Sequence, residues 1–258
     1  MFEWFKRLRK VAKQLTVAPR SEEKVARNTK AINLKPYTPE PKAFLGQLAY
    51  LQLANFEILT AALKYSPNTQ YKAELSEATA KSFDKYRQLS KKLVELGADP
   101  AAEMNPFKER IAVFHSNTSG LDWYEVVIKV YLTSGLLDDF YSRLASGLDD
   151  DLQAEIEKAL RDKTFEKFAK RVLNESIQAD PVLGHRLALW GRRLMGDVLL
   201  ELRAAFDNRK LAHVTKTEKL TEEEENQVNL AAYAKLEPLI SELTGAHGLR
   251  MEAIGLAA

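Results

Sequence analysis

The chain has 258 residues, with 38 Lys and Arg against 36 Asp and Glu, so charge gives no reason to expect a nucleic-acid binder. It contains no Cys, which excludes disulfides, thiolate metal sites and thiol catalysis and favours a reducing compartment. Gly and Pro are sparse, a pattern typical of long helices, and no apolar run is long enough to cross a membrane. We therefore expect a cytoplasmic, helical protein.

The first 15 residues form a basic amphipathic stretch, followed by an arm with several prolines. Such a helix can lie on an anionic membrane, dock in a partner protein, contact RNA, or pack on this chain or a second copy of it. We assign residues 1–43 to this helix and arm, and expect membrane association, where it occurs, to be peripheral. The residues expected to make the contacts are Phe2, Trp4, Phe5, Lys6, Leu8, Arg9, Lys10 and Lys13.

Residues 44–258 read as one helical bundle, because apolar residues recur at helical spacing and no segment alternates like a strand. Short connections favour antiparallel, up-down packing, so the predicted fold class is an all-α antiparallel bundle. Predicted helices cover residues 44–65, 70–96, 105–116, 123–145, 149–173 and 181–208, followed by a polar loop at 209–219 and a last helix.

The last helix carries its own start and stop signals. Thr221 and Glu224 have capping-box spacing and predict its first turn. Pro238 is expected to kink the helix, and Gly245 or Gly248 is expected to end it.

Helical bundles build metal sites from side chains that project inward. A ferritin-like di-metal site needs one Glu from each of two helices and Glu-x-x-His from each of two others. No histidine of this chain has Glu or Asp three residues before it. The sequence therefore predicts no catalytic residue and no intact di-metal site.

Two features still predict a polar centre. Glu57 lies in the least charged helix, where it either reaches water or joins a polar cluster inside the bundle. Ser82 and Lys85 lie on or beside the apolar stripe of the second helix. Lys85 either extends to the surface or pairs inside with Glu57 and with Asp138 or Asp139. The predicted buried cluster consists of Glu57, Ser82, Lys85 and Asp139.

Six segments resemble an actinobacterial ferritin-like family that is similar to the tRNA hydroxylase MiaE. The resemblance covers roughly residues 44–258 and implies a ferritin-like bundle. The segments are GQLAYLQLANFE at 46–57, LGADP at 96–100, NPF at 105–107, DFY at 139–141, LALWGRRL at 187–194 and RMEAIGL at 250–256.

The same resemblance implies that the metal ligands are degraded. Ser82 and Lys85 fall where metal-competent members carry Glu and His, and Ser134 falls at the acid of the third helix. The second Glu/Asp-x-x-His falls at 162–165, where Asp162 is kept and the His position is Phe165. Glu57 and Asp162 are then the remaining ligands.

Two functions follow as alternatives. The first is a non-catalytic binding or scaffold protein without a metal cofactor, which acts through its N-terminal helix or bundle surface. The second is an Fe or Mn oxidase or hydroxylase related to MiaE, in which Glu57, Asp138 or Asp139, and Asp162 would hold the metal, with Glu166 as a further candidate. Ferritin-like bundles often pair through helix faces, so a homodimer is a further partner hypothesis.

Overall fold

The computed structural model describes residues 34–204 and 221–257, and within these ranges the chain is helical with no strand. The predicted all-α bundle is confirmed. The helix predicted for the first 15 residues and the loop predicted at 209–219 lie outside the described residues. The helices are α1 (Pro41–Ala62), α2 (Thr69–Glu95), α3 (Pro100–Met104), α4 (Lys108–Asn117), α5 (Trp123–Leu144), α6 (Asp150–Leu160), α7 (Thr164–Ala179), α8 (Pro181–Ala204) and α9 (Glu222–Glu252).

Polar side chains define where the long helices begin. Asn68 and Asp122 accept hydrogen bonds from the third backbone amides of α2 and α5, at 2.8 and 2.9 Å. These caps satisfy amides that have no partner within the helix. The predicted capping box between Thr221 and Glu224 is present at the start of α9.

Glycine and proline have different effects near the ends of α2 and α9. Gly97 follows α2 with a φ of 70°, a left-handed conformation that glycine adopts without strain. The prediction that Gly245 or Gly248 ends the last helix is wrong, since α9 continues to Glu252 with Pro238 inside it. A helix that packs against the bundle both before and after a glycine or proline in the chain tolerates the low helix propensity of that residue.

The order of the helices departs from a simple up-down bundle. Leu48, early in α1, shares an apolar cluster with Leu93, late in α2, so these two helices are antiparallel. The rings of Tyr71 and Trp123 stack with centroids 5.9 Å apart, which brings the first turns of α2 and α5 together. Since α2 and α5 run in the same direction, the connection through α3 and α4 is a crossover, as in ferritin-like topology.

The single helix predicted over 149–173 is wrong, because the chain breaks at 161–163 into α6 and α7. Asp162 accepts a hydrogen bond from the amide of Thr164 at 3.0 Å, so its side chain starts a new helix. An acid that competes for local backbone amides favours a helix start over a helix interior. Both pieces keep an apolar face towards the bundle.

No helix in the described ranges is long and apolar enough to span a membrane.

The apolar interior consists of two clusters of buried side chains. The first cluster includes Phe44, Leu45, Leu48, Leu93, Leu136, Phe140, Ile156 and Val198. The second cluster includes Leu59, Leu75, Val127, Ile128, Leu132, Val172, Leu173, Leu187 and Leu194.

Gly46 marks a close approach between α1 and the last turn of α3, where a Cβ would overlap the backbone of Glu103. We expect Gly46→Ala to lower the free energy of unfolding by about 1–3 kcal/mol, because backbone must move to admit the methyl group. Gly196 is the matched control, since its Cβ would meet nothing within 4 Å on the exposed side of α8. Gly196→Ala should raise stability by about 0.5–1 kcal/mol in the same urea titration.

Candidate functional site

A small polar cavity of about 40 Å³ lies where the two apolar clusters meet. On α1 its lining residues fall between Leu48 of the first cluster and Leu59 of the second. On α2 they fall between Leu75 of the second cluster and Leu89 of the first. The volume is sufficient for a few water molecules. The lining is formed by Gln52, Asn55, Ser82, Lys85, Val130, Tyr131, Ser134, Gly135, Asp138, Asp162, Lys163, Phe165, Glu166 and Arg250.

The most buried ion pair of the cavity joins α2 to α5. Lys85 Nζ lies 3.6 Å from Asp138 Oδ2, and the two side chains are 13% and 10% exposed. Burial raises the pKa of Asp138, while the charges of Lys85 and Lys163 act in the opposite direction. The lysine therefore compensates a carboxylate that would otherwise be costly to bury.

The break between α6 and α7 supplies the second group of charges. Asp162 accepts hydrogen bonds from the amide and the hydroxyl of Thr164, at 3.0 and 3.2 Å. Glu166 accepts one from Lys170 at 2.6 Å. Burial would raise the pKa of Glu166, yet the hydrogen bond from Lys170 and nearby positive charges hold it below its usual value. Both acids are thus engaged within their own segment.

Arg250 brings the last helix to the cavity wall. Its Nη2 donates to the carbonyl of Gly135 at 3.0 Å and to Asp139 at 2.6 Å. A Cβ at Gly135 would overlap the Arg250 side chain, so the missing side chain provides the room for this contact. The arrangement ties α9 to α5 near the middle of the bundle.

Some of the predicted site residues line the cavity, and others lie away from it. Ser82 and Lys85 line the cavity together with Asp138 and Asp162. Asp139 does not line it, because its carboxylate is 40% exposed and pairs with Arg250 at the rim. The assignment of Asp139 to the buried cluster is therefore wrong, and its neighbour Asp138 is the buried acid.

The expectation that Glu57 joins the polar cluster is wrong, because Glu57 is exposed on α1. Gln52 and Asn55 face the cavity instead, and both are buried. The sequence pattern did not lead us to predict these two amides. Their spacing of three residues in a helix with few charges was the available signal, since i and i+3 share a face.

Among the described residues, no imidazole lines the cavity. His115 is half-buried and His247 is buried, both elsewhere, and burial lowers their pKa values to about 3 and about 4. His185 is exposed on α8, and His213 lies outside the described residues. Within residues 34–204 and 221–257, no group of three His, Cys, Asp or Glu side chains is placed to hold a metal ion.

The donor set does not fit a ferritin-like di-metal centre. Three acids line the cavity, and three cations line it with them: Lys85, Lys163 and Arg250. Each cation lies where it repels a metal ion, and each acid already accepts a hydrogen bond or ion pair from the chain. The remaining neutral donors are amides and hydroxyls, which are weak ligands for iron.

The comparison with known families agrees with this architecture. A family model described as "Ferritin-like domain, actinomycetes" matches residues 37–218, well over half of the chain. The chain belongs to this ferritin-like family. No curated protein sequence matches it. For this ferritin-like domain, the family assignment establishes the fold, and the chemistry of the centre follows from the residues that line it.

The Lys85–Asp138 pair generates a stability prediction for this ferritin-like domain. Lys85→Met removes the ammonium and leaves Asp138 buried without its partner. We expect the free energy of unfolding to fall by about 3–5 kcal/mol, measured by urea denaturation at pH 7.

Two further variants test whether the loss of stability comes from the buried Lys85–Asp138 pair. The double variant Lys85→Met/Asp138→Leu removes both charges and should regain most of the lost stability. Lys81→Met is the surface control, because the Lys81–Asp84 pair is half exposed with its atoms 3.9 Å apart. Its effect should stay within about 1 kcal/mol. A loss for Lys85→Met no larger than for Lys81→Met would contradict the buried-pair interpretation.

Proposed function

We propose that this ferritin-like domain is non-catalytic, holds no di-metal cofactor, and acts by binding. In this proposal, an ion-pair network occupies the place at which ferritin-like enzymes hold two metal ions. The bundle then serves as a stable scaffold, and the activity resides on its surface or in its N-terminal helix.

The observation that carries the proposal is the pairing of Lys85 with Asp138. The nitrogen of a lysine lies in a buried position between two facing helices, at the level of the cavity, and compensates an acid that could otherwise ligate a metal. An ammonium supplies positive charge but cannot accept electrons or bind oxygen. Degradation of the Glu-x-x-His motif on α2 to Ser82 and Lys85, as the family resemblance implies, supports the same interpretation.

The binding surface proposed for the scaffold is the basic amphipathic stretch at residues 1–15. These residues lie outside the described part of the chain, and their sequence supports the proposal. Aromatic and aliphatic side chains alternate with five cations, a composition suited to an anionic membrane surface or to the groove of a partner protein. A peripheral location on the cytoplasmic side of a membrane follows from this proposal.

Metal content distinguishes the scaffold from the hydroxylase. We expect untagged full-length protein, purified without chelators from cells grown with added iron and manganese, to contain far less than one equivalent of either metal. Elemental mass spectrometry measures this directly. Melting temperatures with and without EDTA should coincide, because no structural metal is lost.

The opposite result is equally informative. About two equivalents of iron or manganese, the content of a ferritin-like di-metal site, would overturn the proposal and favour the hydroxylase. In that case Asp138→Asn should lose the metal while the surface variant Asp84→Asn keeps it. A tRNA would then be the first substrate to assay.

Vesicle flotation tests the N-terminal stretch. The full chain should float with vesicles containing an anionic phospholipid and remain at the bottom with neutral vesicles. A variant with Phe2, Phe5 and Leu8 replaced by Ser should lose flotation but keep its melting temperature. If wild type and variant float equally, the membrane is not the partner of residues 1–15, and a protein partner becomes the hypothesis to test.

A further inference from the structure

A groove at one end of the bundle contains a buried lysine without an acidic partner. Lys129 of α5 is 3% exposed, and its Nζ donates to the backbone carbonyl of His115 at 3.1 Å. Within residues 34–204 and 221–257, no carboxylate lies within ion-pair distance of this ammonium. An ammonium has three donor hydrogens, and Lys is almost never fully buried without a partner.

The nearest acid on the same helix is already engaged. Glu125, one turn before Lys129, accepts hydrogen bonds from the amide of Leu121 at 2.7 Å and from Arg186 of α8 at 2.9 Å. Its carboxylate is 5% exposed and points to these two partners. The positive charge of Lys129 is therefore left to be compensated by something that enters the groove.

A second unsatisfied group lies beside the lysine. Both ring nitrogens of His115 are buried, and neither has a hydrogen-bond partner among the described residues. Burial and the charge of Lys129 lower the pKa of His115 to about 3, so its ring is neutral at pH 7 and keeps one N–H donor. Lys129 and His115 together offer a cation and a hydrogen-bond donor to the same space.

The rest of the groove is largely apolar. It is a groove of about 460 Å³ that is open to solvent. A neighbouring groove of about 470 Å³ shares four of its lining residues and adds further apolar surface, including Leu121, which is 92% exposed. The first groove is lined by Ile58, Ala61, Ala62, Tyr65, His115, Ser116, Ser119, Gly120, Val126 and Lys129.

We propose that this groove binds an amphiphile with a carboxylate head and an apolar tail, of the fatty-acid class, with Lys129 pairing the carboxylate. The ammonium satisfies the charge of the head, His115 donates a second hydrogen bond, and the tail covers the apolar walls. Burial of such a tail is favourable in proportion to the apolar area removed from water. The site is separate from the central cavity, and its test is independent of the metal content.

A titration with cis-parinaric acid, a fluorescent fatty acid, tests the proposal on delipidated full-length protein. We expect saturable binding to the wild type and an affinity lower by about 10- to 100-fold for Lys129→Met, the loss typical of a charged hydrogen bond. Lys81→Met, which removes an exposed lysine of α2, should bind like the wild type. Unchanged affinity in Lys129→Met would overturn the assignment.

The head and the tail are tested separately. The methyl ester of the same acid should bind wild type and Lys129→Met alike, because it carries no charge for the lysine to pair with. Acetate, a head without a tail, should not displace the probe at concentrations where decanoate does. Equal binding of acid and ester to the wild type, or equal displacement by acetate and decanoate, would contradict the proposal.

Folding of the variants is checked by helical circular dichroism and melting temperature. Since a buried lysine is often replaced by an apolar side chain without loss of stability, Lys129→Met should fold. Ala61→Trp provides an independent variant, because it fills the mouth of the groove from an exposed position of α1 and keeps Lys129. Tight probe binding by a folded Ala61→Trp protein would place the ligand elsewhere.

The affinity of the wild type for the fatty acid should fall as the pH rises. Burial lowers the pKa of Lys129 to about 8, so the free protein loses this charge as pH rises from 7 to 9.5. The other titratable groups facing the groove are His115 and Tyr65, while Glu125 stays paired with Arg186. Wild-type affinity for the acid should fall about tenfold or more over this range, and Lys129→Met should show no such fall.

Discussion

The buried ion pair between Lys85 and Asp138 is the constraint on which the rest of this ferritin-like domain depends. It lies in a polar layer with apolar side chains on both sides, and the two side chains are only 13% and 10% exposed, so water solvates each charge poorly. An unpaired charge at this depth costs several kcal/mol, a large fraction of the stability of a domain. The sequence must therefore present a cation and an acid at the same height on α2 and α5.

The other charges extend this layer around the bundle. Arg250 reaches across Gly135 to Asp139, and Glu166 is held by Lys170, so α5, α7 and α9 contribute paired charges, while α1 borders the cavity with the amides of Gln52 and Asn55. Paired charges require specific partners at specific heights, whereas apolar packing tolerates many exchanges. The charges thus fix the heights of α2, α5 and α9 relative to one another, and the two apolar clusters supply most of the stabilisation.

Sequence periodicity predicted α1, α2, α5 and α8 well because long apolar stripes and polar caps act locally. It placed Ser82 and Lys85 on the inner side of α2 for the same reason. It failed for Glu57 because apolar residues cover most of the circumference of α1, so the pattern distinguishes its inner face only weakly from its outer face. It also missed the break near Asp162, since the apolar pattern continues through both helices and does not show the local hydrogen bonds that Asp162 accepts from Thr164.

The break between α6 and α7 has a consequence for how the domain opens. An uninterrupted helix propagates order along its length, since each residue adds one backbone hydrogen bond to those already formed. At 161–163 this propagation stops, with α6 packed on the first apolar cluster and α7 on the second. At this level α6 and α7 are coupled to each other through side chains, whereas α1, α2 and α5 cross it with an unbroken backbone ladder. The two short helices can therefore open separately, and we expect their amide hydrogens to exchange at different rates.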